Sequence, residues 1–152
     1  MRALLILLAA LGLFSTVQAA DATRGRVIKV LPVFLDRQGR DATTPSLFDR
    51  DAYQAFLRLH TNQISAVRYN VLWKAKPGGG KIVLRTELRG VDGAGLPKLT
   101  KLEAEVTPKS FSQWSHLTLE GAAYEKFGAA VAWRVTLWDG DQLLSEQKSF
   151  LW

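Results

Sequence analysis

Two neighbouring stretches decide the fold: QISAVRYNVLWKA at residues 63–75 and KIVLRTELRG at residues 81–90. In both, apolar and polar side chains alternate with a period of two, which is the pattern of a β-strand with one buried and one solvent-facing side. The glycine-rich KPGGG at residues 76–80 lies between them and predicts a turn. We therefore expect a chain built mainly from antiparallel strands.

The same alternation assigns side chains to faces. The set expected to face the core is Val67, Tyr69, Val71, Trp73, Ile82, Leu84, Thr86 and Leu88. A third strand in KLTKLEAEV, residues 98–106, places Glu103 and Glu105 on its outer side, and Lys81 and Arg85 are on the outer side of the preceding strand. Cross-strand pairs of opposite charge favour pairing between these two strands.

The segment before these strands changes character twice. RGRVIKVLPVFLD, residues 24–36, is apolar on both alternating sides, which suits a strand buried on two sides. Pro32 within it predicts an edge strand or a break into two short pieces, because proline has no N–H to donate. TPSLFDRDAYQAFLRLH, residues 44–60, switches to helical spacing, with Thr44 or Ser46 as the N-cap. Its apolar stripe predicts an amphipathic helix from about residue 47 to residue 60, and such a stripe normally faces a core. The stripe consists of Phe48, Ala52, Ala55, Phe56 and Leu59.

The last stretch, AVAWRVTLWDGDQLLSEQKSFLW at residues 130–152, predicts a closing hairpin that turns at Asp139-Gly140. Val131, Trp133, Val135 and Leu137 form its predicted apolar face. Before it, SHLTL at residues 115–119 predicts a short strand, and EGAAYEKFG predicts a turn or single helical turn ending at residue 128.

Residues 133–152 of this hairpin resemble the end of many bacterial extracytoplasmic immunoglobulin-like or fibronectin-type domains. Those domains also close with a Trp-x-Val strand, an Asp-Gly turn and a strand carrying a late aromatic residue. The resemblance implies an antiparallel immunoglobulin-like β-sandwich of about seven strands, here with one short α-helix inserted near residues 47–60. It implies architecture alone, since such folds host many functions, and the cysteine pair of antibody domains is missing.

The N-terminal sequence MRALLILLAALGLFSTVQAA predicts a secretory signal at residues 1–19. Arg2 provides the positive start, residues 3–14 form a short apolar run, and Val17 and Ala19 are the small residues before the cut. We expect a single domain at residues 20–152, periplasmic or secreted and without a membrane span. Its formal charge falls from +6 to +5 with the loss of Arg2. The chain contains no cysteine, which excludes disulfides, thiol nucleophiles and thiolate metal sites.

The sequence offers little for catalysis, metals or nucleic acid. The two histidines are His60, at the predicted helix end, and His116, whose neighbour Ser115 points to the opposite face of a strand. Glu103 and Glu105 share their face with Lys101, as on a solvated surface. The Asp pairs at positions 49 and 51, and 139 and 141, lack the further ligands of a calcium loop. We expect no catalytic, cofactor-binding or metal-ligating residues and no nucleic-acid partner.

Two functional hypotheses remain. The first is a non-enzymatic binding or structural module of the bacterial envelope that acts through protein contacts, since small exported sandwiches pair through sheet edges or apolar patches. The second is a carbohydrate-binding module, in which exposed tryptophans stack on sugar rings beside polar neighbours. Its candidate residues are Trp138, Trp152, Trp114 and Arg134, and the partner is an envelope protein or a glycan.

Overall fold

A computed structural model describes residues 24–76 and 81–152 of the chain. Seven strands, two α-helices and a single 3₁₀ turn follow one another in that part. In chain order they are β1 (Gly25–Asp36), α1 (Leu47–Leu59), a 3₁₀ turn (Thr61–Gln63), β2 (Ile64–Ala75), β3 (Ile82–Val91), β4 (Pro97–Glu105), β5 (Gln113–Glu120), α2 (Gly121–Phe127), β6 (Ala129–Asp139) and β7 (Gln142–Lys148). The predicted signal sequence and most of the predicted KPGGG turn lie outside the described residues.

The strands form two antiparallel sheets, which confirms the mainly β prediction. The three-stranded sheet has the order β1-β2-β5, and the four-stranded sheet has the order β4-β3-β6-β7. The face assignments of β2 and β3 are also confirmed, because every residue predicted to face the core there is buried. The predicted pairing of β3 with β4 is present, with Arg85 opposite Glu103.

The buried faces of the two sheets form a common hydrophobic core. Its largest side chains are Trp73 and Tyr69 from β2, packed with leucines and valines of β3, β6 and β7. The sheets also meet at one side, where β1 lies against β7 and the Val27 N–H donates a hydrogen bond of 3.0 Å to the Ser145 Oγ. This contact links the first and last strands of the described chain.

β1 is an edge strand, as Pro32 predicted. The Phe34 N–H points away from β2 and donates to the side chain of Gln54. Pro32 lies two residues earlier in β1, so its backbone nitrogen also points away from β2. The missing proline N–H therefore costs no bond within the sheet. Apolar residues of β1 pack on both sides of the strand. Val33 and Leu35 form a second buried cluster with Ala66, while Val30 and Phe34, both partly buried, pack against the main core.

The helix α1 is present where the sequence predicts it, with Ser46 as its N-cap, but its apolar stripe does not face a core as such stripes normally do. Leu57 and Gln54 are the buried residues of α1, and Leu57 lies on the opposite side from the predicted stripe. Phe48 is 81% exposed and Leu59 is 82% exposed. The physical reason is that polar bonds to the edge of β1 set the rotation of the helix, as described below.

The predicted apolar face of β6 is interrupted at Val131, which is 50% exposed. The register between β3 and β6 shifts at this point: Arg89 pairs with Ala132 and Gly90 pairs with Ala130. Val131 is therefore the extra residue of a β-bulge, which turns its side chain away from the core. Trp133, beyond the bulge, is half-buried and packs against the core, and the Asp139-Gly140 turn is present as predicted.

Two turns at one end of the sheets have the same construction. After β1, the Asp36 carboxylate accepts hydrogen bonds from the N–H groups two and four residues later, and after β3, Asp92 accepts the same pair of bonds. In both turns the fourth residue is a glycine with a left-handed backbone, Gly39 at φ 76° and Gly95 at φ 79°. The local pattern Asp-x-x-Gly-x therefore encodes the same turn at both places.

Among the described residues, no helix has the length and apolar character needed to cross a membrane.

Candidate functional site

The outer face of the four-stranded sheet carries a network of ion pairs. Arg85 donates to Glu103 at 2.5 Å, and Glu103 also lies 3.3 Å from Lys101. One strand further, Arg134 lies 2.6 Å from Glu87. The hydrogen bond from Arg85 is the largest cause that lowers the pKa of Glu103. Glu103 is thus paired with Arg85 and Lys101, and Glu105 with Lys81, which is the solvated surface that the sequence predicted for these two residues.

Three of the four predicted ligand residues, Trp138, Trp152 and Arg134, lie together on this face. Both tryptophans are half-buried. The Arg85 guanidinium lies over the Trp138 ring at 5.1 Å, while Arg89 and Arg134 lie over the Trp152 ring at 4.1 and 5.0 Å. Guanidinium groups therefore occupy positions over these rings that a sugar would need for stacking. The arrangement ties the end of the chain to β3 and β6.

The fourth predicted ligand residue, Trp114, lies on the other sheet. It is 46% exposed on the edge strand β5, opposite Leu72 of β2. His116 lies two residues further along the same side, and its Nδ1 is 2.6 Å from the Asn70 Oδ1. Trp114 therefore stands apart from Trp138 and Trp152, with an open ring and polar groups beside it.

The residues considered for catalysis have structural partners. Ser115 Oγ accepts a hydrogen bond of 2.9 Å from the Trp73 indole on the core side, whereas His116 is on the outer side with Asn70. The two therefore lie on opposite faces, as predicted. His60 caps the end of α1, with its Nδ1 2.9 Å from the Phe56 carbonyl oxygen.

At least one aspartate of each pair considered for metal binding has a structural partner. Asp139 forms an ion pair with Arg24, and Asp49 accepts a hydrogen bond from Thr44 at the start of α1. Within residues 24–76 and 81–152, no three acidic or histidine side chains come together as a metal site would require.

Polar contacts hold α1 on the free edge of β1. Gln54, which is buried in α1, accepts a hydrogen bond of 2.8 Å from the Phe34 N–H, and its amide donates 2.9 Å bonds to the carbonyl oxygens of Phe34 and Asp41. The Gln54 side chain therefore pairs with Phe34 as a neighbouring strand would. This closes the edge at that residue, which is a common protection against edge-to-edge association.

Asp36 provides the second attachment of α1. Tyr53 donates its hydroxyl to Asp36 at 2.7 Å, and the carboxylate also accepts bonds from Gln38 and from the backbone and guanidinium of Arg40. Burial alone would raise the pKa of Asp36, but these hydrogen bonds outweigh it and lower the pKa to about 2. The same bond from its hydroxyl raises the pKa of Tyr53. Asp36 is thus a buried, fully bonded carboxylate at neutral pH.

Because its inner side makes these bonds, α1 presents its apolar side to solvent. We call the residues Phe48, Ala52, Ala55, Phe56 and Leu59 the α1 stripe; all five are exposed. The Phe56 ring stacks with the His60 ring at 4.1 Å. An exposed apolar stripe of this kind is a candidate contact surface.

An apolar groove opens beside the bulge of β6. It consists of two adjoining cavities of about 390 and 230 Å³, which share Phe34, Arg58, Val67 and Ala130. Tyr69 contributes to the smaller cavity, and burial raises its pKa. The groove separates the C-terminal half of β1 from the start of β6, so the two sheets are less closely packed here than at the β1–β7 contact.

Comparison with known proteins returns no significant match: no family model matches the chain, and neither a curated protein nor a solved structure is similar to it. Gln54 and the outward α1 stripe are the features that sequence reasoning missed. No local signal was available for either, because a glutamine on the polar side of an amphipathic helix is ordinary.

Proposed function

We propose that the chain is an exported, non-enzymatic binding module of the bacterial envelope that acts through protein contacts, with the α1 stripe as its contact surface. The observation that carries this proposal is the exposure of Phe48 and Leu59, at 81% and 82%, on a helix whose other side is anchored. Apolar residues at positions i, i+4, i+7, i+8 and i+11 are the anchors that a helix uses when it docks against a partner protein.

The hydrogen bonds that hold α1 on β1 support a functional reason for the exposure of the α1 stripe. Gln54 and Asp36 fix the rotation of α1 through hydrogen bonds, so the stripe is presented by a held helix and not by a loose segment. Pre-organised surfaces lose less conformational entropy on binding. Export is supported by the N-terminal sequence alone, and it places the partner in the periplasm or outside the cell.

We propose, in addition, that the two sheets form an immunoglobulin-like sandwich. In the constant-type arrangement, strands one, two, five and four form one sheet, and strands three, six and seven form the other. The sheets β1-β2-β5 and β4-β3-β6-β7 share every one of these assignments except the fourth strand, which here pairs with the third. An experimental structure tests this fold proposal directly.

The functional test is site-specific photocrosslinking in the cell envelope. A photoreactive amino acid replaces Ala55 in the α1 stripe or, as the matched control, the exposed Ala94 in the turn after β3. The proposal expects a discrete covalent adduct from position 55 and none from position 94, and it expects Phe48→Glu to abolish the adduct. Equal labelling at both positions, or no adduct at position 55, would overturn it.

Carbohydrate binding is a second candidate, and Trp114 is the observation in its favour. Its exposed ring shares a side of the sheet with the polar pair Asn70 and His116. The test is co-sedimentation of residues 20–152 with insoluble glucan or peptidoglycan. Binding that is lost in Trp114→Ala and kept in Trp138→Ala would support this candidate, and absence of binding to either polymer would remove it.

A further inference from the structure

We propose that the partner of the α1 stripe is a second copy of the chain, packed so that the two α1 helices run antiparallel. This inference rests on the proposed function, because it names the partner of the same surface. It follows from three properties of the exposed helix: the order of large and small residues along the stripe, the placement of charges beside it, and the direction of the helix dipole.

Four of the five stripe residues are arranged symmetrically by size along the helix. The fifth, Phe56, stacks on His60 at one edge of the stripe and has no apolar counterpart. Phe48 and Leu59 are the large residues at the two ends of the stripe, while Ala52 and Ala55 are the small residues between them. Both pairs are centred on the same point, midway between Ala52 and Ala55. In a two-fold antiparallel pair around that point, Phe48 of one copy lies against Leu59 of the other, and the alanines face each other. Small residues at the crossing point permit a close approach of the two helix axes.

The charged residues beside the stripe are also ordered so that opposite charges meet in a two-fold antiparallel pair. Asp51 and Arg58 lie on one flank, seven residues or about two turns apart, and both side chains are accessible to solvent. A two-fold antiparallel arrangement brings the same flanks of the two helices together, so Asp51 of each copy lies near Arg58 of the other. On the opposite flank, Asp49 and His60 are related in the same way.

The antiparallel direction is favoured over the alternatives. A parallel pair would place the acidic first halves of both helices side by side, and it would align the two helix dipoles unfavourably. A lipid surface is a poorer match, because helices that lie on membranes carry an excess of Lys and Arg on the polar side. α1 carries two aspartates and two arginines, and therefore has no such excess.

The size of the surface sets the expected affinity. A single helix of 13 residues presents less area than the standard interface of about 1,600 Å², and interfaces of this small class are weak and transient. We therefore expect a weak, concentration-dependent dimer rather than a permanent one.

The experiment is sedimentation equilibrium of residues 20–152 over a wide concentration range. The inference expects dimers at high concentration, their loss in Phe48→Glu and in Leu59→Glu, and their retention in the matched controls Phe150→Glu and Leu99→Glu, which replace exposed residues outside α1. Thermal unfolding of each variant verifies that it is folded. Dimers that persist in both stripe variants would overturn the inference, because another surface would then form them.

A charge exchange tests the antiparallel register. Asp51→Arg and Arg58→Asp each place like charges together, and each is expected to weaken association by about tenfold. The double variant restores opposite charges across the interface and is expected to restore association. If the double variant stays as weak as the single ones, the proposed register is wrong.

Because the natural chain has no cysteine, disulfide trapping provides an independent measurement. A mixture of Phe48→Cys and Leu59→Cys proteins is expected to form an intermolecular disulfide, whereas Phe48→Cys alone is not, since its two copies lie about 16 Å apart along the helices in the antiparallel pair. Trapping by Phe48→Cys alone would indicate a parallel pair and would overturn the inference.

The outcomes separate this inference from the proposed function. A chain that is monomeric at every concentration, yet still gives the Ala55 adduct with a different protein, overturns the self-association and leaves the proposed function standing. A monomer that gives no adduct overturns both. Binding of the wild-type chain to anionic phosphatidylglycerol vesicles, lost in Phe48→Glu, would overturn both in favour of a lipid surface.

Discussion

Protonation of Asp36 is expected to weaken the attachment of α1 to β1. The carboxylate is buried, and its four hydrogen bonds lower its pKa from 3.8 to about 2. Since the folded-state pKa is below the unfolded one, the stabilisation is fully present above about pH 5 and is lost as the pH falls toward 2. The gap between the two pKa values corresponds to about 2 kcal/mol of folding free energy.

The assay is urea unfolding, followed by tryptophan fluorescence, at several pH values between 7 and 2. Asp36→Asn is expected to lower the free energy of unfolding by about 2 kcal/mol at neutral pH, and the difference from wild type is expected to vanish near pH 2. Asp51→Asn, which changes an exposed aspartate of α1, is the control and is expected to follow the wild-type curve. A difference for Asp36→Asn that stays constant down to pH 2 would refute the reasoning.

Further substitutions test three other parts of the structure. Gln54→Ala removes the bonds to Phe34 and leaves backbone groups of β1 unpaired, so it is expected to lower the free energy of unfolding in urea by about 2 kcal/mol. The control is Gln63→Ala, because the Gln63 side chain makes no hydrogen bond within the described residues. An equal loss of stability in both variants would contradict the role of Gln54. Gly39→Ala and Gly95→Ala are each expected to cost about 1 kcal/mol, since both turns need a left-handed residue; a large difference in melting temperature between them would contradict the equivalence of the turns. Trp152→Ala is expected to lower the free energy of unfolding by about 1–2 kcal/mol through the loss of its two guanidinium contacts. Trp152→Phe is expected to recover part of this stability. An unchanged melting temperature in Trp152→Ala would show that these contacts contribute nothing.

The parts of the fold that follow from local pattern were predictable. The faces of β2 and β3 follow from strict alternation, and the closing hairpin follows from its Asp-Gly turn. The start of α1 follows from its Ser46 cap. In each case the deciding interactions are between residues close in sequence, or depend only on which side of a strand is apolar.

The rotation of α1 was not predictable from its own pattern. An apolar stripe predicts an inward face, but unpaired backbone groups at a sheet edge compete for the same helix. Gln54 satisfies the Phe34 N–H and carbonyl oxygen together, and no local signal identifies Phe34 as its partner. The bulge at Val131 and the position of Arg89 over Trp152 likewise depend on pairing between distant strands. The candidate contact surface was therefore the part of the molecule that the sequence described least well.

The position of α1 on the edge of β1 also affects how the protein would aggregate. If α1 detaches while both sheets remain folded, the backbone of Phe34 loses its partner and an edge strand with two apolar faces becomes available to other chains. Because one of the two attachments depends on an ionised Asp36, acid promotes this local opening before global unfolding. The molecule is then expected to aggregate through strand pairing as the pH falls from about 5 toward 2, and any association that holds α1 in place would also delay that aggregation.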